Sequence, residues 1–197
     1  MTTQEIISIR PCAAGDHWAV QRLFAALHSH NAALDARFAL ADGWMALLDA
    51  HLEQTRASGN GLTLLAWEGD TPVGLLMMGS HTDSPLFHHR HWVELLALYV
   101  APEARGDGLA DRLLAEGLAW TVAQGYDRVQ LFVTASNLPA RRFYQRAGFR
   151  CAQEIWRLEL PHAPHTHQHD HSHPPAQELL STGADQLLRG SILIEPE

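Results

Sequence analysis

Three groups of residues in this 197-residue chain have types and spacings that suit chemistry. The first is the turn Arg105-Gly106-Asp107-Gly108. An apolar run from Val93 to Val100 reads as a buried strand, Pro102 ends it, and LADRLLAEGLAWTVA (109–123) reads as a helix after the turn. Amides at a helix start have no internal partner, and the helix dipole adds partial positive charge there. Glycines allow φ > 0 and close approach of a ligand to the backbone. The order strand, glycine turn, helix therefore fits a cradle for phosphate or pyrophosphate, with Arg105 as an added cation. It also fits an ordinary tight strand-to-helix turn.

The second group is Glu94 and the apolar strand that carries it. Period-two alternation puts Glu94 on the face of Leu96, Leu98 and Val100. A carboxylate there needs a partner or a cavity. A partner on offer is Arg90 or a neighbouring histidine. The third group is PHAPHTHQHDHSHPP (161–175), in which His165, His167, His169, His171 and His173 alternate. In an extended chain every second side chain shares a face, and imidazole suits Zn, Ni and Cu(II). The tract reads either as a chelator of Zn or Ni or as a solvated linker with adventitious metal binding.

These groups need a frame. IISIRP (6–11) reads as a first strand, with Asp16 as a cap for a following helix striped by Trp18, Leu23, Phe24 and Leu27. A second helical region spans about 34–56, with Gly43 as an interruption and apolar residues Phe38, Leu40, Met45, Leu47, Leu48 and Leu52. Leu62–Trp67 and Val73–Met78 read as a hairpin. The helix after the glycine turn aligns Leu109, Leu113, Leu118 and Val122. RVQLFVTA (128–135) reads as a strand, NLPARRFYQRAGF (137–149) as a capped helix, and Arg150 to Leu160 as a last strand. Residues 161–175 hold six histidines, four prolines and no large apolar residue, so they read as a linker rather than core.

Composition narrows the class. The chain is 46% hydrophobic, enough for a core of ordinary size, and its formal net charge is −8. An acidic chain is a poor nucleic-acid binder. Two distant cysteines, Cys12 and Cys151, do not suggest a disulfide framework, and a reducing cytoplasmic setting follows. No apolar run approaches membrane-spanning length, and MTTQEIISIR has no apolar signal core.

Two motifs in order give a resemblance. Arg105-x-x-Gly108-x-Ala110 is followed about thirty residues on by Asn137-x-x-Ala140-x-x-Phe143-Tyr144 and Gly148-Phe149. Together they resemble the GCN5-related N-acetyltransferase (GNAT) family, over roughly residues 5–160. The resemblance implies an α/β (α+β) fold, in which a mixed, mostly antiparallel sheet splays between two parallel middle strands and is flanked by helices. It implies acetyl-CoA as cosubstrate and direct transfer of acetyl to a primary amine, on a small molecule or a protein.

The resemblance also implies site residues. The pyrophosphate would lie against the amides of Arg105, Gly106, Asp107, Gly108, Leu109 and Ala110. Asp107 departs from the non-acidic residues common there, and its carboxylate would repel a phosphate unless it points to solvent. Leu98 N–H would serve the oxyanion, Val100 the pantetheine arm, and Tyr144 would protonate the leaving thiolate. Asn137 is matched equally by a cofactor contact and a helix cap. Glu94, eleven residues before Arg105, has the offset of the family's catalytic glutamate in its histone-acetyltransferase branch. His81, His89 and His91 are alternative bases by intrinsic pKa. Residues 28–45 and 80–92 would face the acceptor.

The expected organisation is a catalytic domain over 1–160, a linker over 161–175 and a segment 176–197 that is docked or poorly ordered. Family habit and the apolar stretch Ile192–Ile194 suggest a homodimer. The reading of a different class is a metal-binding or regulatory protein with a CoA-binding domain and a chelating tail.

Overall fold

The computed structural model describes residues 7–160. The histidine tract, the linker and segment 176–197 lie outside the described residues, and so do the metal ligands expected at His165, His167, His169, His171 and His173.

The described elements are β1 (Ser8–Pro11), α1 (His17–Leu34), α2 (Trp44–Ser58), β2 (Gly61–Glu68), β3 (Thr71–Thr82), β4 (His91–Val100), α3 (Leu109–Ala123), β5 (Val129–Gln130) and α4 (Leu138–Arg146). The strands form one sheet in the order β1-β2-β3-β4-β5. β1 to β4 pair antiparallel, and β5 pairs parallel to β4. This is the expected mixed α/β fold. Parallel pairing is confined to Val93 with Val129 and Glu94 with Gln130. Beyond Glu94 the two chains part, so the remainder of β4 has β3 as its strand partner and an open second side among the described residues.

β4 is buried along nine of its ten residues, as its apolar sequence requires. The two faces of the sheet are told apart by packing. A Cβ on Gly117 of α3 would meet Met78 Sδ at 2.5 Å and Leu76 Cδ1 at 3.2 Å, and one on Gly74 would meet Leu113 Cδ1 at 3.0 Å. Gly74, Leu76 and Met78 therefore carry α3. On the other face Trp18 of α1 meets Trp67 edge-on, ring centroids 5.9 Å apart. Trp67 shares that face with Leu65, which is paired with Leu75.

Five local expectations are corrected. The second helix begins only at Trp44, because Asp35 takes extended backbone, a short 3-10 turn spans Ala36–Phe38, and Gly43 adopts φ 77° ahead of the helix. Asp16 precedes α1 but makes no side-chain cap to it; its carboxylate reaches back to Ala13 N–H at 2.8 Å and to Arg10. On α3 the buried stripe is Leu109, Leu113, Gly117 and Thr121, four apart, while Val122 is 73% exposed. Strand pairing in 128–135 is limited to Val129–Gln130, where the chain still lies beside β4. Residues 150–160 form no strand: Ile155, Trp156, Leu158 and Leu160 are exposed, and Arg157 and Glu159 instead reach Asp35 and Arg37.

Candidate active site

The glycine turn forms as its sequence implies. Pro102–Ala104 make a short 3-10 turn after β4, Gly106 and Gly108 take φ +99° and +67°, and α3 starts at Leu109. Those φ values favour glycine, and a Cβ at either position would meet nothing within 4 Å, so the demand is conformational and the space beside the backbone is open. The first helical bond is Arg112 N–H to Gly108 C=O. The amides of Leu109, Ala110 and Asp111 thus precede the helix ladder. Leu109 puts its side chain in the core, 2% exposed, while Asp107 is exposed. Arg105 folds back over the strand it follows, Nε donating to Val100 C=O at 3.1 Å.

Backbone direction along β4 follows from the ladder. Ala101 N–H bonds Val73 C=O at 2.8 Å. Hydrogen-bonded pairs alternate along an antiparallel ladder, so Tyr99, opposite Leu75, also faces β3. The amides of Leu98 and Val100 then point the other way, to the side where no strand pairs beyond Glu94 among the described residues.

The register contains a correction for Glu94. Met77 pairs Ala97 but Met78 pairs Leu95, so β4 holds one extra residue, Leu96. A bulge of this kind inverts the alternation beyond it. Glu94 is opposite Gly79, and Ala97 and Tyr99 are opposite Met77 and Leu75, on the same face. Leu98 and Val100, opposite Leu76 and Gly74, lie on the α3 face instead. Leu96 stays with Glu94, since a Cβ on Gly79 would lie 3.3 Å from Leu96 Cδ1. Glu94 is 4% exposed, on the face that α1 covers.

His81 and Trp92 sit on that face too, paired across the strands with ring centroids 4.1 Å apart. Arg128 lies over Trp92, Cζ 4.6 Å from the ring centroid, and donates from Nη2 to His89 C=O. His91 is at the exposed start of β4, its Nδ1 3.1 Å from Thr82 Oγ1. Of the histidines considered as bases, the structure thus places His81 near Glu94 and holds His91 at the strand end.

On α4, Asn137 is 2% exposed and caps the helix, Oδ1 accepting from Ala140 N–H at 3.1 Å. Its Nδ2 is buried without a hydrogen-bond partner among the described residues. Tyr144 is 2% exposed between Phe143 and Phe149, and its Oη likewise has no hydrogen-bond partner among the described residues. Burial pushes the phenol well above its ordinary pKa. Orphaned buried groups are costly. Asn137 Nδ2 and Tyr144 Oη are thus two buried donors on α4 that a ligand's acceptor atoms could pair.

The sequence reading did not single out Asn31. It extends the buried stripe Val20, Leu23, Leu27 by one more turn of α1, is 2% exposed, and its Nδ2 has no hydrogen-bond partner among the described residues. The spacing of four after Leu27 was the available signal. One turn earlier His28 Nδ1 lies 3.2 Å from Phe38 C=O, which fixes the proton on Nδ1, and burial lowers its pKa.

The family model described as Acetyltransferase (GNAT) family matches residues 18–149, more than half of the chain. The chain belongs to the GNAT acetyltransferase family. A mycothiol acetyltransferase of Clavibacter michiganensis is 36% identical to this GNAT chain over 123 residues, covering 57% of it and 40% of the relative. The chain thus spans about two fifths of the length of that curated relative. In fold it is similar to a tetramutant of the BH1408 protein from Bacillus halodurans, with a TM-score of 0.67 at 20% identity over 78% of this chain and 99% of the other. A predicted acetyltransferase from Clostridium acetobutylicum, in its structure with acetyl-CoA, has a TM-score of 0.62 at 15% identity over 78% of this chain and 96% of the other. Among the described residues no group of three or more His, Cys, Asp or Glu is arranged to hold a metal ion. No described helix is long and apolar enough to cross a membrane.

Proposed function

We propose that this chain transfers acetyl from acetyl-CoA to a primary amine on a small molecule, by direct attack within a ternary complex. The single observation that carries the reading is the buried Tyr144 Oη, without a hydrogen-bond partner among the described residues, on a domain whose glycine turn and helix N-terminus offer an anion cradle.

Acetyl-CoA supplies the activated thioester. The amides of Arg105 to Ala110 receive its pyrophosphate, with Asp107 turned to solvent. Leu98 N–H donates to the carbonyl oxygen as charge gathers there, and Val100 pairs the pantetheine arm. Asn137 Nδ2 donates to the same ligand while its Oδ1 caps α4. Glu94 takes the proton that the acceptor's ammonium must lose before its nitrogen can attack. A C–N bond forms as the C–S bond breaks, and the nitrogen's second excess proton goes to the Tyr144 oxygen once that phenol has protonated the sulfur. Tyr144 gives its proton to the departing sulfur; its raised pKa keeps that proton in place until then. The name of the Clavibacter relative supports a small-molecule acceptor.

The test is acetyl-CoA-dependent release of CoA thiol over a panel of small amines. Amine-dependent release supports the reading. Bound acetyl-CoA with no release on any amine contradicts it.

A further inference from the structure

Four of the eleven large apolar side chains exposed among the described residues fall within 155–160: Ile155, Trp156, Leu158 and Leu160. Single exposed apolar residues are ordinary, but a contiguous group marks an interaction surface. The segment is also unpaired in its backbone. No N–H or C=O of residues 150–160 bonds another backbone group among the described residues, and every residue there is exposed. Strand composition with open backbone groups is a template for pairing with another chain.

Two contacts fix which way the side chains turn. Arg157 Nη1 donates to Asp35 Oδ2 at 3.3 Å, and Arg37 Nη2 donates to Glu159. Positions 157 and 159 therefore face the connection between α1 and α2. Side chains alternate along an extended chain, which turns Trp156, Leu158 and Leu160 to the other side. Each of these three is at least 74% exposed. The order of charges then selects a partner, because WRLEL (156–160) is self-complementary. Laid antiparallel on a second copy and centred on Leu158, it sets Arg157 opposite Glu159 and Trp156 opposite Leu160, each twice by symmetry. Opposite charges and aromatic–aliphatic pairs stabilise directly opposed positions. Laid parallel in register, it opposes Arg157 to Arg157 and Glu159 to Glu159, which repel. An antiparallel slip of one residue opposes Trp156 to Glu159 and mixes the apolar row with the charged one.

We infer that residues 156–160 are a dimer interface, in which this segment pairs antiparallel with the same segment of a second copy about a two-fold axis at Leu158. Such a pair closes after two copies. Pro161 follows Leu160 and ends the ladder. Arg157 then lies between Asp35 of its own chain and Glu159 of the other. The pair is thereby attached on both sides to the connection between α1 and α2.

The experiment follows self-association of the full chain by analytical ultracentrifugation across the micromolar range, in which modest interfaces dissociate. The expected wild-type result is a monomer–dimer equilibrium. Arg157→Glu and Glu159→Arg each set like charges opposite one another at both symmetric positions, and each is expected to weaken the dimer by about tenfold or more. An equimolar mixture of the two variants restores opposite charges across the pair and is expected to associate with near wild-type strength. Leu158→Asp puts two carboxylates on the two-fold axis and is expected to leave a monomer; the position is exposed, so the fold is not at stake. A wild type that stays monomeric, the outcome if the chain beyond Leu160 covers the row, overturns the inference, and so does one that assembles beyond a dimer. A dimer that survives Leu158→Asp or the single charge variants also overturns it, because another surface then holds the copies together. A mixture that associates no better than its components does the same.

Discussion

Arg105 Nε donates to Val100 C=O at 3.1 Å, so the cation at the mouth of the glycine turn is fastened to the last residue of β4. Arg105→Ala removes this tie and a positive charge from the proposed pyrophosphate site. Acetyl-CoA binding is expected to weaken roughly three- to thirtyfold, as for loss of one charge-assisted bond, with little change in kcat. Titration calorimetry with acetyl-CoA and steady-state kinetics check both parts.

Glu94 is buried on the α1 face, apart from Leu98 and Val100. As the proposed base it contributes to kcat more than to acetyl-CoA binding. Glu94→Gln preserves shape and removes the base, and kcat is expected to fall about 10²- to 10⁴-fold with acetyl-CoA affinity within twofold of wild type. Kinetics with saturating amine, beside direct binding of acetyl-CoA, make the comparison.

The two cysteines are both free thiols. Burial pushes the Cys12 thiol up to about 11, while Cys151 is exposed. The thiolate is the reactive form. At pH 8 one thiol equivalent is expected to react quickly with an aromatic disulfide reagent, and Cys12 at least about a hundredfold more slowly. Labelling of Cys12→Ser and Cys151→Ser assigns the phases.

Asp16 joins β1 to the start of α1 by accepting from Arg10 Nη1 at 2.5 Å and from Ala13 N–H at 2.8 Å. The bond from Arg10 leads the causes that hold its carboxyl below the usual range. A depressed folded pKa adds stability above the ordinary carboxylate pKa, and that stability is lost as pH falls through the folded value. Asp16→Ala is expected to cost about 1 kcal/mol at pH 7, with the gap to wild type closing in acid below the ordinary carboxylate range. Denaturant titrations at pH 7 and pH 3 test the sign.

The strand, glycine turn and helix from Val93 to Ala123 were legible because each local signal agrees with the tertiary environment: an apolar run that is buried, Pro102 at its end, and glycines where φ is positive. The cap of α4 was legible too, since Asn137 ahead of Pro139 places its Oδ1 on Ala140 N–H. The face of Glu94 was not, because a single extra residue at Leu96 inverts the alternation and leaves no mark in an all-apolar run. The start of α2 was obscured by apolar Leu34, Phe38 and Leu40, which mask a turn that Asp35 and Gly43 open and close. Residues 150–160 have strand composition, yet strands also need a partner edge, and composition does not supply one.

The most direct test of the account is the turnover of Tyr144→Phe, measured as amine-dependent thiol release beside acetyl-CoA affinity. The substitution removes one oxygen that has no hydrogen-bond partner among the described residues, so the fold loses no bond. Burial holds the wild-type phenol protonated across the assay range. The expected kcat is lower by roughly 10²- to 10⁴-fold, with acetyl-CoA affinity retained. A variant that turns over at the wild-type rate contradicts the assignment of Tyr144 as the acid.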